Sequence, residues 1–204
     1  MVHVVTQENR DEYASALAGM HHDRKRVFVD RLGWDVPVVD GQYEIDQFDT
    51  DHAIYLLDLD AAGRHQGSIR LLPTTQPHLL SDVFPNLCEN GPPRDEQTWE
   101  ITRLCTAPDA HDPKGTGRRL TIAVTEFALL YGVRRYSCMT HLQFLSQVLA
   151  VGWDCQPLGL PQTDDKGLSV GAIVINMTPE TLSLVRLRTG STTPVLRWNT
   201  RHAA

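Results

Sequence analysis

Residues 53–73 read "AIYLLDLDAAGRHQGSIRLLP". The stretch reads as two apolar strand segments around an "AAG" turn. That pattern predicts an antiparallel β-hairpin. The second segment carries Arg70 among residues suited to a buried strand. A guanidinium cannot escape burial by losing its proton, and an unpaired charge in a core costs several kcal/mol. Arg70 therefore requires a carboxylate from another segment.

Downstream, "WEITRLCT" (residues 99–106) predicts a further strand, with Glu100 and Arg103 set among Trp99, Ile101 and Leu104. Residues three apart in a regular strand point to opposite faces. Both reach one pocket only if the strand is bulged or ends between them. Upstream, residues 32–51 contain Gly, Pro and Asp in a pattern read as a long loop, which brings Asp46 and Asp49 in "DQFD". Three segments thus offer two arginines and three carboxylates in apolar or aromatic settings, either a fold-fixing ion cluster or a functional site. The Arg70 fork is expected to hold Asp46, Asp49 or Glu100.

Around this centre the chain predicts a strand at "VHVVT", a helix from Glu8 ending at Gly19 and a second from Met20 to Arg31. A short amphipathic helix is expected in "HLLSDVFPNL", and a strong one over 116–131. Then come a strand at "RRYSCMT", a helix from His141 stopped by Gly152, a strand at "LSVGAIVINM" and a helix with Thr178 as N-cap and Pro179 in its first turn. An early hairpin followed by strand–helix–strand units indicates an α/β three-layer sandwich around a mixed, mostly antiparallel twisted sheet. One domain is expected over 1–190, followed by a polar tail over 191–204.

The 204 residues are 41% hydrophobic and 22% charged, as in an ordinary globular protein, and the net charge of −6 disfavours general nucleic-acid binding. No run reaches the ~20 apolar residues of a membrane span. The N-terminus has no basic region followed by an apolar one, and Cys88, Cys105, Cys138 and Cys155 are widely spaced, so a reduced, cytoplasmic protein is expected. No HxxxH, HExxH or Cys/His cluster predicts a metal site, and no GxSxG marks a nucleophile. "DPKGTGRR" (112–119) opens the strongest helix with a Gly-x-Gly turn at Gly115 and Gly117, either a plain loop or an anion site of the kind GNAT acetyltransferases use for pyrophosphate. Asp112 stands where those enzymes prefer Gln or Arg.

Taken together, Arg24 and Phe28 in "DRKRVF", Trp34 in "LGW", Asp46 and Asp49, "RLLPTT" from Arg70, Phe84, and Glu100 with Arg103 resemble the LuxI-type acyl-homoserine-lactone synthases in order and spacing over about the first 110 residues. The chain has Thr102 and Leu104 where that family usually has Ser and Phe. The resemblance implies a GNAT-like acyltransferase fold. It also implies S-adenosylmethionine as a substrate rather than a cofactor, and an acyl donor on acyl carrier protein, or on coenzyme A as in some relatives. By that resemblance Glu100, Arg103, Arg70, Asp46 and Asp49 are the catalytic set, with Glu100 taking the amine proton. Arg24, Phe28, Trp34, Asp46, Asp49 and Arg103 would bind S-adenosylmethionine. Phe84, Thr102, Thr140, Gly115 and Gly117 would line the acyl and phosphopantetheine path. An acidic carrier protein requires a local basic patch on so acidic a chain, and Arg118, Arg119, Arg134 and Arg135 are the densest candidates. Thr140 is read either as a group facing a 3-oxo substituent or as the cap of the helix from His141. Two other readings stand beside this one: a GNAT-type N-acyltransferase using acyl-coenzyme A on another amine, and a non-catalytic binder of acyl carrier protein or S-adenosylmethionine.

Overall fold

The computed structural model of the chain describes residues 1–164 and 166–197. In order it contains β1 (Val2–Val5), a 3₁₀ stretch (Gln7–Tyr13), α1 (Ala14–Arg24), a π-helical stretch (Lys25–Arg31), β2 (Val38–Val39), β3 (Tyr43–Glu44), β4 (Ile54–Leu59) and β5 (His65–Pro73). There follow α2 (Leu79–Asp82), a 3₁₀ turn (Pro85–Leu87), β6 (Thr98–Thr106), α3 (Pro113–Tyr131), β7 (Arg135–His141) and α4 (Leu142–Ala150). The chain continues with β8 (Asp154–Pro157), β9 (Gln162–Thr163), β10 (Ser169–Asn176), α5 (Pro179–Thr189) and β11 (Leu196–Arg197). This is the expected α/β class with mostly antiparallel strand pairing; β1–β11 and β6–β7 are parallel.

The residues group into two compact units, the first containing Met1–Leu71, Arg103–Val124 and the chain from Val195, the second Leu72–Thr102 and Thr125–Pro194. In the first, the strand order is β11-β1-β4-β5-β6. The hairpin of β4 and β5 forms as its sequence predicts, with Tyr55 opposite Arg70 and Leu57 opposite Ser68. Gly63 turns it at φ +77°, a conformation open to glycine at little cost, and Asp60 Oδ1 accepts the N–H groups of Ala62 and Arg64. Eight consecutive residues of β5, His65–Leu72, are buried, so the strand is covered on both faces and Arg70 is 1% exposed.

Four local features differ from the sequence expectation in this unit. Gly19 does not end a helix: α1 runs through it, held by buried Ala16, Met20, Asp23 and Arg24 on either side. The helix then widens, with Leu32 N–H reaching Val27 O and Trp34 N–H reaching Phe28 O. Residues 32–51 are not wholly loop, because Asp40 and Gly41, both at positive φ, turn β2 back onto β3; Asp-Gly is the favoured pair for such a turn. Leu196–Arg197, placed in the polar tail, add a strand beside Val2–His3. Residues 198–204 of that tail lie outside the described residues.

In the second unit, β10 pairs with β7 along the whole of Arg135–His141 and with β8 on its other side. β6 pairs with β7 over Thr98–Glu100 against Arg135–Ser137, where their ladder ends. Thr102 and Thr140 both lie past that point. A core of Leu80, Leu87, Cys88, Val170 and Ala172 packs against Phe84, Met139 and Leu158. α5 has the expected ends: Thr178 Oγ1 accepts Thr181 N–H, and Gly190 closes the helix at φ +69°.

Candidate active site

The first unit buries a charged network. Arg24, at the end of α1, grips both oxygens of Asp49 at 2.8 and 2.9 Å and also bonds Glu44. Arg70 grips both oxygens of Asp46 and reaches Asp49 Oδ1 at 3.0 Å. Arg103 bridges Glu44 Oε1 at 2.9 Å and Asp46 Oδ2 at 2.7 Å. Three guanidinium groups thus meet three carboxylates, and the charges balance. Burial raises the Asp49 carboxyl, but the Arg24 hydrogen bonds and the Arg24 and Arg70 charges outweigh it and hold Asp49 well below the usual carboxylate range.

Local structure explains why these groups converge. Arg103 has φ +51°, rare for a residue with a side chain. The burial phase of β6 slips there: Thr98, Glu100 and Thr102 are buried, then Cys105. This bulge-like break in the strand aims Arg103 at the loop carboxylates. In the loop, Asp49 Oδ2 accepts Asp46 N–H and Asp46 O accepts Asp49 N–H, so the two aspartates fix each other, while Asp46 Oδ1 also accepts Phe48 N–H.

Counting donors shows which groups are committed. A carboxylate has about four lone-pair directions. Glu44 meets Nε and Nη2 of both Arg24 and Arg103. Asp46 accepts from two nitrogens of Arg70, one of Arg103 and Phe48 N–H. Asp49 faces two nitrogens of Arg24, one of Arg70, the Tyr55 hydroxyl and Asp46 N–H. All three are saturated. The side chains of Arg24, Arg70 and Glu44 are fully buried, whereas Arg103 is 7% and Asp46 4% exposed. The open edge of the network is therefore Arg103 with Asp46, and Arg103 Nη1 has no hydrogen-bond partner among the described residues.

Phe28 and Trp34 stack on each other, centroids 4.6 Å apart, with the Arg103 guanidinium 5.7 Å from each ring centre. Phe28 is buried against Val27 and Cys105, so it behaves as a core aromatic. Trp34 is the outer, half-buried ring.

The first unit therefore gathers Arg24, Phe28, Trp34, Asp46, Asp49, Arg70 and Arg103. Glu100 belongs to the second unit, where its carboxylate accepts the N–H groups of Leu79 and Leu80 at 2.7 and 2.8 Å and anchors the start of α2. The third carboxylate of the network is Glu44, which the sequence reading missed. Its signal was Asp40–Gly41 flanked by "VV" and "YE", a hairpin pattern that fixes Glu44 opposite Val38.

The remaining candidates fall as follows. Gly115 and Gly117 are not in a turn before the helix but inside it, since α3 starts at Pro113. Asp112 caps that start by accepting Gly115 N–H at 3.0 Å, so the chain's own carboxylate occupies the helix end. Arg119 is bound by the buried Asp58 at 2.7 Å, while Arg118 is exposed. Arg135 is exposed and pairs with Asp95. Arg134 is exposed and precedes β7, at the opposite end of that strand from Thr140. The cap of α4 is His141 rather than Thr140, whose hydroxyl bonds the His141 carbonyl at 3.3 Å. Phe84 and Thr102 sit in the second unit, Phe84 against the apolar core and Thr102 buried.

The autoinducer synthase family model matches residues 8–181. The acyl-homoserine-lactone synthase of Ralstonia solanacearum is 36% identical over 142 residues, 66% of this chain and 70% of that protein. The isovaleryl-homoserine lactone synthase of Bradyrhizobium diazoefficiens is 31% identical over 93% of this chain and 86% of that protein. Among solved structures, BjaI, a CoA-dependent acyl-homoserine lactone synthase with SAM and isopentyl-CoA, superposes with TM-score 0.89 at 30% identity, covering 97% of this chain and 92% of that one. MesI, also CoA-dependent, gives 0.88 at 31%, covering 96% and 98%. An N-acetyltransferase from Lactobacillus plantarum shares the fold, with TM-score 0.59 at 20% identity over 87% of this chain and 99% of that one. With a match spanning most of its length and relatives of this identity, the chain belongs to the autoinducer synthase family of acyl-homoserine-lactone synthases, which are acyltransferases.

Proposed function

We propose that the chain acylates the amine of S-adenosylmethionine and then closes the lactone. The amine nitrogen attacks the thioester carbonyl, the N–C bond forms, the C–S bond breaks and the thiol leaves. The substrate carboxylate next attacks the carbon attached to sulfur. That C–S bond breaks, and methylthioadenosine departs as a neutral thioether beside the N-acyl-homoserine lactone. An α-amine titrates near pH ~8, so freeing its lone pair costs only about 1.4 kcal/mol per pH unit. Glu100 is the proposed proton acceptor, directly or through a water. The departing thioether requires neither a strong acid nor a metal.

The observation that carries this reading is the saturated network with one open edge. S-adenosylmethionine brings an ammonium, a sulfonium and a carboxylate. Its carboxylate fits Arg103 Nη1, a nitrogen at the edge of the network that has no hydrogen-bond partner among the described residues. Its ammonium gains a lone pair of Asp46 when Arg103 turns from Asp46 to the substrate carboxylate, an exchange that conserves charge. The half-buried Trp34 suits the adenine or the sulfonium through cation–π contact, worth roughly 0.5–2 kcal/mol. Arg24, Arg70, Asp49 and Glu44 support this edge.

For the donor we favour an acyl-coenzyme A ester. The CoA-dependent structures match nearly the whole chain, and two of the four arginines considered for a carrier-protein patch, Arg119 and Arg135, already hold carboxylates of this chain. One observation favours the carrier protein instead: Asp112 places a carboxylate at the start of α3, where a diphosphate is disfavoured. The reaction belongs to the cytoplasm, where both donors and S-adenosylmethionine are made.

Purified protein with S-adenosylmethionine and either donor tests this by mass spectrometry. The expected result is lactone and methylthioadenosine in equal amounts, faster with acyl-coenzyme A. Acylation without methylthioadenosine release contradicts lactone synthesis. A higher kcat/KM with acyl carrier protein overturns the donor assignment.

A further inference from the structure

Asp49 belongs to a loop, yet its position decides where Arg70, and through it Asp46, can sit. Arg24 fixes Asp49 from one side. From the hairpin, the Tyr55 hydroxyl donates to Asp49 Oδ1 at 2.8 Å. That oxygen also meets Arg24 Nη1 at 2.8 Å and Arg70 Nη1 at 3.0 Å.

The Tyr55 ring has little freedom of its own. Its residue is 2% exposed. The His21 imidazole meets it edge-on at 6.2 Å, and the Arg10 guanidinium lies 5.4 Å from the ring centre. Tyr55 is also the cross-strand partner of Arg70, with Val5 opposite it on the other side. Tyr55 and Arg70 thus present a hydroxyl and a guanidinium from paired positions of one rigid hairpin to the same carboxylate oxygen.

We propose that Tyr55 is a positioning residue for S-adenosylmethionine: its hydroxyl locks Asp49, which holds Arg70, which holds Asp46 at the open edge of the network. The inference rests on the substrate assignment made above. It separates Tyr55 from the arginines, because removing the hydroxyl changes no charge. In Tyr55→Phe, Asp49 keeps the Arg24 fork, so the fold persists while the carboxylate gains rotational freedom.

Calorimetric titration of S-adenosylmethionine into the wild type and Tyr55→Phe, with thermal melts and steady-state kinetics, tests it. The expected result is a cooperative melt and binding about three- to tenfold weaker, the scale of a lost hydrogen bond to a charged group acting at one remove. KM for the acyl donor should stay unchanged. Replacement of Tyr55 by p-aminophenylalanine, which keeps a donor at the same place on the ring, should restore most of the affinity. If the wild type binds and Tyr55→Phe binds equally well, the positioning role is wrong and the substrate assignment stands. If the wild type does not bind, both fall. Loss of the cooperative melt in Tyr55→Phe, or weakened binding that p-aminophenylalanine does not restore, assigns Tyr55 a structural role and overturns the proposal.

Discussion

Glu44 shows how a single side chain can decide whether buried charge is tolerable. It is fully buried between Arg24 and Arg103, and among the described residues no other carboxylate makes hydrogen bonds to both. Glu44→Gln leaves the three arginines facing two carboxylates. Breaking a buried pair from one side costs about 3–5 kcal/mol, so urea denaturation should show a loss of that order. A loss under about 1 kcal/mol would mean that water reaches the site and screens it. The sequence already implied that Arg70 needed a carboxylate, because a guanidinium in a buried strand leaves no alternative. It did not reveal which arginine would meet which acid. Asp46 and Asp49 are three apart in an irregular loop, where no period fixes direction, and Glu44 reaches the network only through a two-residue strand. The stacking of Phe28 on Trp34 was equally hidden, since it depends on the widened helical turn after Arg24.

At the scale of elements, strand β6 is the one whose irregularity matters. A regular strand from Thr98 to Thr106 would turn Arg103 away from the loop; the left-handed residue at its bulge costs on the order of 1–3 kcal/mol, which the two ion pairs of Arg103 offset. The same strand carries Glu100, whose two oxygens accept the first N–H groups of α2. Glu100→Gln separates the roles. As a base, its loss should lower kcat about 10²–10⁴-fold at saturating substrates. As an anchor alone, the amide would present a donor to one backbone N–H, destabilising the fold by about 1–3 kcal/mol while kcat falls less than threefold. We expect both the loss of stability and the larger loss of kcat; stability loss alone removes Glu100 from the proton path. Elements with strong caps were legible in the sequence, α5 above all, with Thr178, Pro179 and Gly190 at its ends. α3 was misplaced by three residues because two glycines near its start suggested a turn, whereas Asp112 and Pro113 begin the helix.

For the molecule as a whole, the α/β class and the hairpin at its centre followed from apolar runs and turn residues, which act locally. The division into two compact units did not, because it depends on contacts between distant segments. The first unit places three arginines and three carboxylates so that every acceptor is occupied and one edge, Arg103 with Asp46, remains to exchange partners. No helix of the described residues is long and apolar enough to cross a membrane, and no group of three or more His, Cys, Asp or Glu side chains among them is placed to hold a metal ion. The central claim is that this edge receives the carboxylate of S-adenosylmethionine on Arg103. The most direct measurement compares, by calorimetry, the binding of S-adenosylmethionine and of its decarboxylated analogue to the wild type and to Arg103→Gln. In the variant, Glu44 keeps Arg24 and Asp46 keeps Arg70; two arginines then face three carboxylates, which costs stability, so a cooperative thermal melt first establishes that the variant is folded. The account predicts that the wild type prefers the intact substrate by about tenfold or more, the scale of a charge-assisted hydrogen bond, and that Arg103→Gln abolishes this preference. A preference that persists undiminished in Arg103→Gln would contradict it.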